Sequence, residues 1–198
     1  MRFFYDFIII FTLLFSSYWM YLTIRSFFYD KKQGVNTKLA RLVLLVALLV
    51  IFATILWGSF IEPQLITIKQ TTISLGQTPT KENIKIVFLT DIHVGPYKQT
   101  GFMEKIVEKV KALKPDLILF GGDYIYGKEE NAKHLAPLEA LTAEFSGKMF
   151  AVTGNHEFNE SRFNDPHFFD KTKLVREIFA QAHIKILDNT GESVIVNG

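Results

Sequence analysis

The sequence predicts two membrane-spanning helices followed by an α/β domain on a mostly parallel sheet, and three features carry that prediction. Residues 7–24 and 42–61 are uncharged and apolar, each close to the ~20 residues that cross about 30 Å of hydrocarbon. Residues 84–89, 117–120 and 149–152 are short runs rich in β-branched or aromatic side chains, each followed at once by a polar cluster, the pattern of buried strands. Between the first two runs Phe102, Ile106, Val110 and Leu113 recur at helical spacing. Strand, helix and strand joined by such short connections give parallel pairing.

The first apolar segment lies between Asp6 and Arg25, the second between Arg41 and Glu62. Tyr18, Trp19, Tyr21 and Trp57 sit toward segment ends, where amphipathic rings favour the membrane interface. Helices apolar on every side do not suit the rim of a soluble core, which needs one apolar stripe. A cleaved signal peptide fits the first segment poorly, because its run exceeds roughly 7–15 residues and no small-x-small site follows before Arg25. The loop between the segments holds Arg25, Lys31, Lys32, Lys38 and Arg41 against Asp30 alone. Basic loops stay in the cytoplasm, which puts the amino terminus and the soluble part on the other side. Residues 1–61 are therefore expected to anchor a multi-pass protein in the cell membrane, with its remaining domain extracytoplasmic.

Of the net charge of +2, the anchor carries +4 and the rest of the chain −2. A binder of duplex nucleic acid concentrates basic charge on its folded domain, so that class is excluded, and the basic loop suits anionic headgroups of the lipid bilayer instead. The chain has no cysteine. Any metal site is built from oxygen and imidazole ligands.

Residues 62–83 are expected to form a strand and a linker. Residues 64–75 alternate apolar and polar side chains, as one or two half-buried strands do, and residues 76–83, with Gly76 and Pro79, read as a turn. Pro115 closes the helix that begins near Phe102. A second helix is expected over residues 131–144, and a third over residues 171–182 with Leu174, Ile178 and Ala182 on one face. Residues 184–187 and 193–196 read as further strands, and helices are expected on the faces of the sheet.

The three core runs lead into Asp91-Ile92-His93, Gly121-Gly122-Asp123 and Gly154-Asn155-His156-Glu157, with Asp91, Asp123 and Asn155 spaced 32 residues apart. Open α/β sheets bind ligands beyond the carboxyl ends of their strands, so the clusters converge on one site. Asp91 and His93, two residues apart, can reach one cation where the strand breaks into a loop. Asp123 can bridge two ions through its two oxygens, and Asn155 adds a neutral amide oxygen. Two metals ~3.5–4 Å apart clamp the attacking and leaving oxygens of an in-line displacement and lower the pKa of a bound water. Gly121, Gly122 and Gly154 permit sharp turns and close approach. A lone aspartate at a strand end is ordinarily a cap or turn former. Three such clusters in register are not.

Read together, D-x-H, G-D and G-N-H-E resemble the calcineurin-like metallophosphoesterase superfamily, in particular its membrane-anchored bacterial members, over roughly residues 64–198. The resemblance implies a sandwich in which a second sheet packs against the first. It implies a hydrolase of phosphomonoester, phosphodiester or pyrophosphate bonds with two divalent metal ions, Mn, Fe or Zn, with Mg also suited. Asp91 and His93 would hold the first metal, Asp123 would bridge, and Asn155 would hold the second. His156 would contact the phosphate and act on the leaving group as a catalytic residue. The implied partner is a phosphorylated small molecule, a nucleotide or a lipid.

The same resemblance implies a later histidine and a terminal G-H-x-H element, and nothing after Asn155 matches them: His167 and His183 remain, but neither sits in such a motif. The chain is accordingly expected to end inside the catalytic domain, so that residues 84–198 form a partial domain. An alternative reading is a membrane-tethered, non-catalytic binding or scaffold module with an incomplete metal site. Glu157 reads as a supporting residue or helix start, and His134 and His167 as solvated. Residues 159–170 are either a substrate-facing lid or a surface excursion. The basic loop makes a direct prediction about topology: protease added to cells with a permeable outer layer should remove everything after Glu62, whereas full protection, with cleavage only in inverted vesicles, would reverse the orientation.

Overall fold

The computed structural model describes residues 2–30, 34–74, 83–158 and 171–196, and the chain divides into two compact units, Met1–Thr67 and Ile68–Gly198.

The first unit is a helical hairpin of α1 (Arg2–Tyr29) and α2 (Val35–Leu56), the second prolonged by a π-helical turn (Trp57–Ile61) and a 3-10 turn (Glu62–Gln64). Both helices have the length and apolarity to cross a membrane, and only 11% and 6% of their apolar windows are buried. A core helix of a soluble domain would be mostly covered. In α1 the serine and threonine hydroxyls bond to the helix itself: Ser16 Oγ donates to the Thr12 carbonyl at 2.7 Å, and Thr23 Oγ1 to the Trp19 carbonyl at 2.8 Å. Without such bonds a polar group in hydrocarbon costs several kcal/mol, on the order of ~2–7. Among the described residues of this unit the buried side chains are Leu48 and the small Ser16 and Thr23, the kind that lets helices approach. Arg41 clamps the connected end of the hairpin, donating to the last-turn carbonyl of Ser26 and to Asp30 Oδ2, both at 3.2 Å.

The second unit is built on four parallel strands in the order β1 (Ile86–Leu89), β2 (Leu117–Phe120), β3 (Met149–Ala151) and β4 (Lys185–Ile186). Sequence and spatial order coincide. Right-handed crossovers that always step in the same direction place every connecting helix on the same face. The sheet is therefore covered on one side, where a sheet with helices on both faces was expected. Register puts Ile86 and Phe88 beside Leu117 and Leu119 on one face, and Val87 and Leu89 beside Ile118 and Phe120 on the other. Burial agrees: Ile118 and Phe120 are buried, while Ile86 and Phe88 remain exposed. Among the described residues there is one sheet, and a second sheet is not formed.

On the covered face lie α3 (Thr100–Leu113), the 3-10 segment Glu129–Leu141 with the short α4 (Thr142–Phe145), and α5 (Thr172–Gln181). α3 buries Phe102, Met103, Ile106, Val107 and Val110 and ends on Lys114 in the left-handed region, ahead of Pro115. The helix expected over residues 131–144 is instead largely 3-10. Pro137 lies inside it and can neither donate an N–H nor tolerate the preceding α-helical turn, and α geometry resumes only at Thr142. α5 buries Val175 and Phe179 most deeply; of the expected face Ala182 is buried and Leu174 and Ile178 are half-buried. Phe179 packs on Phe120 and Tyr124, with ring centroids 5.8 and 4.7 Å away. The two aromatic partners select that stripe.

Two expected strands are absent. Residues 65–74 are neither helix nor strand, and Leu65, Ile68 and Ile73 are exposed. Residues 193–196 are likewise unpaired, with Ile195 86% exposed. Alternation makes a strand only where a partner supplies hydrogen bonds and a cover for the apolar face. The remaining expectations over residues 75–82 and 159–170 fall outside the described residues.

His134, expected to be solvated, is buried. Its Nδ1 accepts from the Thr100 backbone N–H at 3.2 Å and lies 2.9 Å from Thr100 Oγ1, so it caps the start of α3 from another element. Burial, with Lys133 nearby, holds its pKa below the ordinary histidine value. A depressed histidine pKa means that the unfolded chain takes up the proton first, so this stabilisation is complete above about pH 6.5 and is lost as pH falls through the folded pKa. His134→Asn keeps an acceptor without titrating in that range. Its melting temperature should fall less steeply than that of the wild type between pH 6.5 and 5, and parallel curves would remove His134 from the acid response.

Candidate metal centre

Where β1 and β2 end, the backbone takes conformations that L-residues disfavour. Asp91, His93 and Asp123 have φ of 54°, 52° and 57°, each a departure of roughly 1–3 kcal/mol that surrounding structure must impose. The imposing bonds are visible. Asp91 N–H donates to the Gly122 carbonyl, and His93 N–H to the Asp123 carbonyl, both at 3.1 Å, while Val94 N–H donates to Tyr124 at 2.7 Å. An isolated parallel bridge between Val94 and Ile125 carries the pairing beyond the strands.

Glu157 holds the loops from beneath. Its fully buried carboxylate accepts from the backbone N–H groups of Asp123, Tyr124, Ile125 and Gly154 at 2.8–3.1 Å. One side chain thus joins the loop after β2 to the loop after β3. Lys171 closes the assembly, donating through its backbone N–H to the Glu157 carbonyl and through Nζ to the His156 carbonyl. Burial lowers the Lys171 pKa, with Glu157 pulling the other way. The Tyr124 hydroxyl accepts from Gly122 N–H at 3.0 Å and donates to the Val152 carbonyl at 2.5 Å; burial raises its pKa and keeps that proton in place. Gly154 is obligatory, because a Cβ there would lie 2.1 Å from Asp123 Oδ1 and 2.3 Å from Asp123 N.

These constraints bring His93, Asp123 and His156 together, each offering a ligand atom within 4.8 Å of the others. His93 Nε2 is 3.8 Å from Asp123 Oδ2. Its Nδ1 is 3.1 Å from the Asp91 carbonyl, and a proton donated there leaves Nε2 free to coordinate. Asp123 Oδ1 accepts from His156 N–H at 3.0 Å, and Oδ2 is the oxygen that faces His93 Nε2. The His93 and His156 rings stand edge to face, 4.6 Å between centroids. A carboxylate and two imidazoles so disposed suit a first-row divalent cation.

Of the residues singled out in the sequence, Asp91 does not join this group among the described residues; its Oδ2 accepts from Thr90 Oγ1 at 2.7 Å. Asn155 lies exposed on the turn before His156. His156 stands among the ligand atoms themselves, where an imidazole can coordinate a cation or reach a phosphoryl group beside it. His183 is exposed and packs against Ser146 at the end of α5, away from the cluster. Sequence reasoning missed the reach of Glu157 and the part of Tyr124, whose only signals were their places in G-N-H-E and G-D-Y. If Glu157 fixes this geometry, Glu157→Gln turns an amide N–H toward backbone donors and leaves buried N–H groups unmet, each about 1–3 kcal/mol. Its melting temperature should fall by several degrees or more, and an unchanged value would show that the loops hold themselves.

Residues 84–198 match the family model for the calcineurin-like phosphoesterases. Over 92 residues, 46% of the chain and 24% of the relative, it is 39% identical to an uncharacterized metallophosphoesterase of Helicobacter pylori. Over 117 residues, 58% of the chain and 35% of the relative, it is 31% identical to the UDP-2,3-diacylglucosamine pyrophosphatase LpxG of Chlamydia muridarum. A transmembrane protein with metallophosphoesterase domain from Bos taurus is 34% identical over 84 residues, 42% of the chain and 18% of the relative. The chain thus spans well under half the length of these relatives. No solved structure matches it. With three strand-end motifs, a parallel sheet that converges them and a family model over residues 84–198, the chain belongs to the calcineurin-like phosphoesterase family.

Proposed function

We propose that the chain supplies the anchor and the first part of the catalytic domain of a membrane-bound, metal-dependent phosphoesterase acting outside the cytoplasm. The observation that carries the reading is the convergence of His93, Asp123 and His156 within 4.8 Å on backbone that only tertiary bonds hold in place. Asp91, His93 and Asp123 would hold one divalent ion, and Asp123 and Asn155 the second, with Mn, Fe or Zn, or Mg, as the metals. Bound ions supply Lewis acidity and neutralise charge in an in-line displacement at phosphorus.

What the protein contributes is position. The His156 N–H fixes Asp123 Oδ1, so the carboxylate cannot turn as substrate enters. The His93 ring is fixed through Nδ1. The His156 ring, half-buried beside them, would stand where a leaving oxygen needs a general acid. Two helices fit to span a bilayer would keep the site near lipid, which favours an amphiphilic substrate. The name of the chlamydial relative, a UDP-2,3-diacylglucosamine pyrophosphatase, makes an acylated pyrophosphate the first substrate to try.

The test is hydrolysis of an aryl phosphodiester and of an acylated sugar pyrophosphate with added Mn²⁺. Asp123→Asn should lower the rate by more than about 100-fold, beyond the loss typical of groups that merely support a ligand. A variant that keeps both its metal content and its rate would end the bridging role of Asp123.

A further inference from the structure

Each of the three loops that build the centre also carries one half-exposed aromatic side chain: Tyr97 (53% exposed), Tyr126 (52%) and Phe158 (43%). Single exposed aromatics are common on protein surfaces. Tyr126 differs in what it touches and in how it is held. Its ring lies 6.2 Å from that of His93 and 6.0 Å from that of His156, centroid to centroid. It therefore flanks both imidazoles of the metal-ligand group.

The backbone of Tyr126 is fixed from three directions. Its N–H donates to the Val94 carbonyl at 2.8 Å, its carbonyl accepts from Asn131 Nδ2 at 2.9 Å, and the preceding Ile125 is fully buried with its N–H on Glu157. Gly95 packs so closely that a Cβ on it would lie 3.0 Å from the Tyr126 carbonyl oxygen. Among the described residues the Tyr126 hydroxyl makes no hydrogen bond with the protein. What the fold presents beside the centre is thus a flat ring on rigid backbone, with half its surface open.

Building on the phosphoesterase reading, we propose that Tyr126 determines specificity: its ring is the wall against which an aromatic leaving group of the phosphoester packs. A group bound at the His93–Asp123–His156 cluster must extend past one rim or another, and the Tyr126 ring adjoins the two histidines. Planar groups gain most from a preset aromatic face, because little side-chain freedom is lost on contact and offset or edge packing is available. A hydroxyl-donor role or a role in merely orienting His156 would give different results in the same experiment.

The probes are phenylphosphonate and methylphosphonate, titrated calorimetrically into the full chain with Mn²⁺. The wild type should bind phenylphosphonate about 3- to 10-fold more tightly than methylphosphonate. Tyr126→Ala should abolish that preference while leaving methylphosphonate affinity unchanged, and Tyr126→Phe should retain it. Equal affinities in the wild type, no binding of phenylphosphonate, or a preference that survives Tyr126→Ala would each overturn the proposal. Loss of the preference in Tyr126→Phe would assign the effect to the hydroxyl and overturn it as well. If the wild type shows the preference yet hydrolyses no phosphoester, the phosphoesterase reading fails and the aromatic wall stands.

Discussion

A single buried carboxylate receiving four backbone N–H groups is the interaction on which the centre depends. Glu157 gathers Asp123, Tyr124, Ile125 and Gly154 and thereby fixes the distance between the loop after β2 and the loop after β3. A carboxylate is suited to this because its two oxygens accept several bonds and bring no donor of their own. Left unmet in the interior, each of those N–H groups would cost about 1–3 kcal/mol. The arrangement offsets the left-handed backbone at Asp123 and, through the bonds between the β1 and β2 loops, at Asp91 and His93. Strain of that kind persists only where its surroundings over-determine it.

From this follows the division of labour around the site. Glu157, Tyr124 and Lys171 are buried or nearly so and act on backbone, whereas His93, Asp123 and His156 are half-buried and keep their ligand atoms accessible. Gly154 links the two groups, since the space a side chain would take there is filled by Asp123. The sequential strand order adds an asymmetry: with every crossover on one face, Ile86 and Phe88 stay uncovered while Ile118, Phe120 and Phe179 form the core.

Sequence patterns were most informative where local chemistry decides alone. The two long apolar helices, α3 and the three core strands were legible because apolarity and its period set them, and β2 was placed residue for residue. Patterns misled where a partner decides. Residues 65–74 alternate as a strand should, yet without a neighbouring strand they form neither strand nor helix. Residues 131–144 have helical composition, but Pro137 diverts the backbone into a 3-10 segment. On α5 two stripes were equally plausible in one dimension, and Phe120 with Tyr124 chose the one bearing Phe179. His134 looked like a surface histidine until α3 presented an uncapped N–H.

The sequence by itself determined that Asp91, His93, Asp123, Asn155 and His156 stand at strand ends, because each follows a run that can only be a strand and each is preceded or followed by glycine or loop. Only the tertiary structure decided which of them meet. His93, Asp123 and His156 converge because Glu157 binds one loop to the other and the β1 loop pairs onto the β2 loop, while Asp91 Oδ2 accepts from Thr90 Oγ1 and Asn155 stands exposed beside His156. Hydrogen bonds between residues about 30 positions apart carry no local signature. They exist only when parallel strands have already brought their ends together.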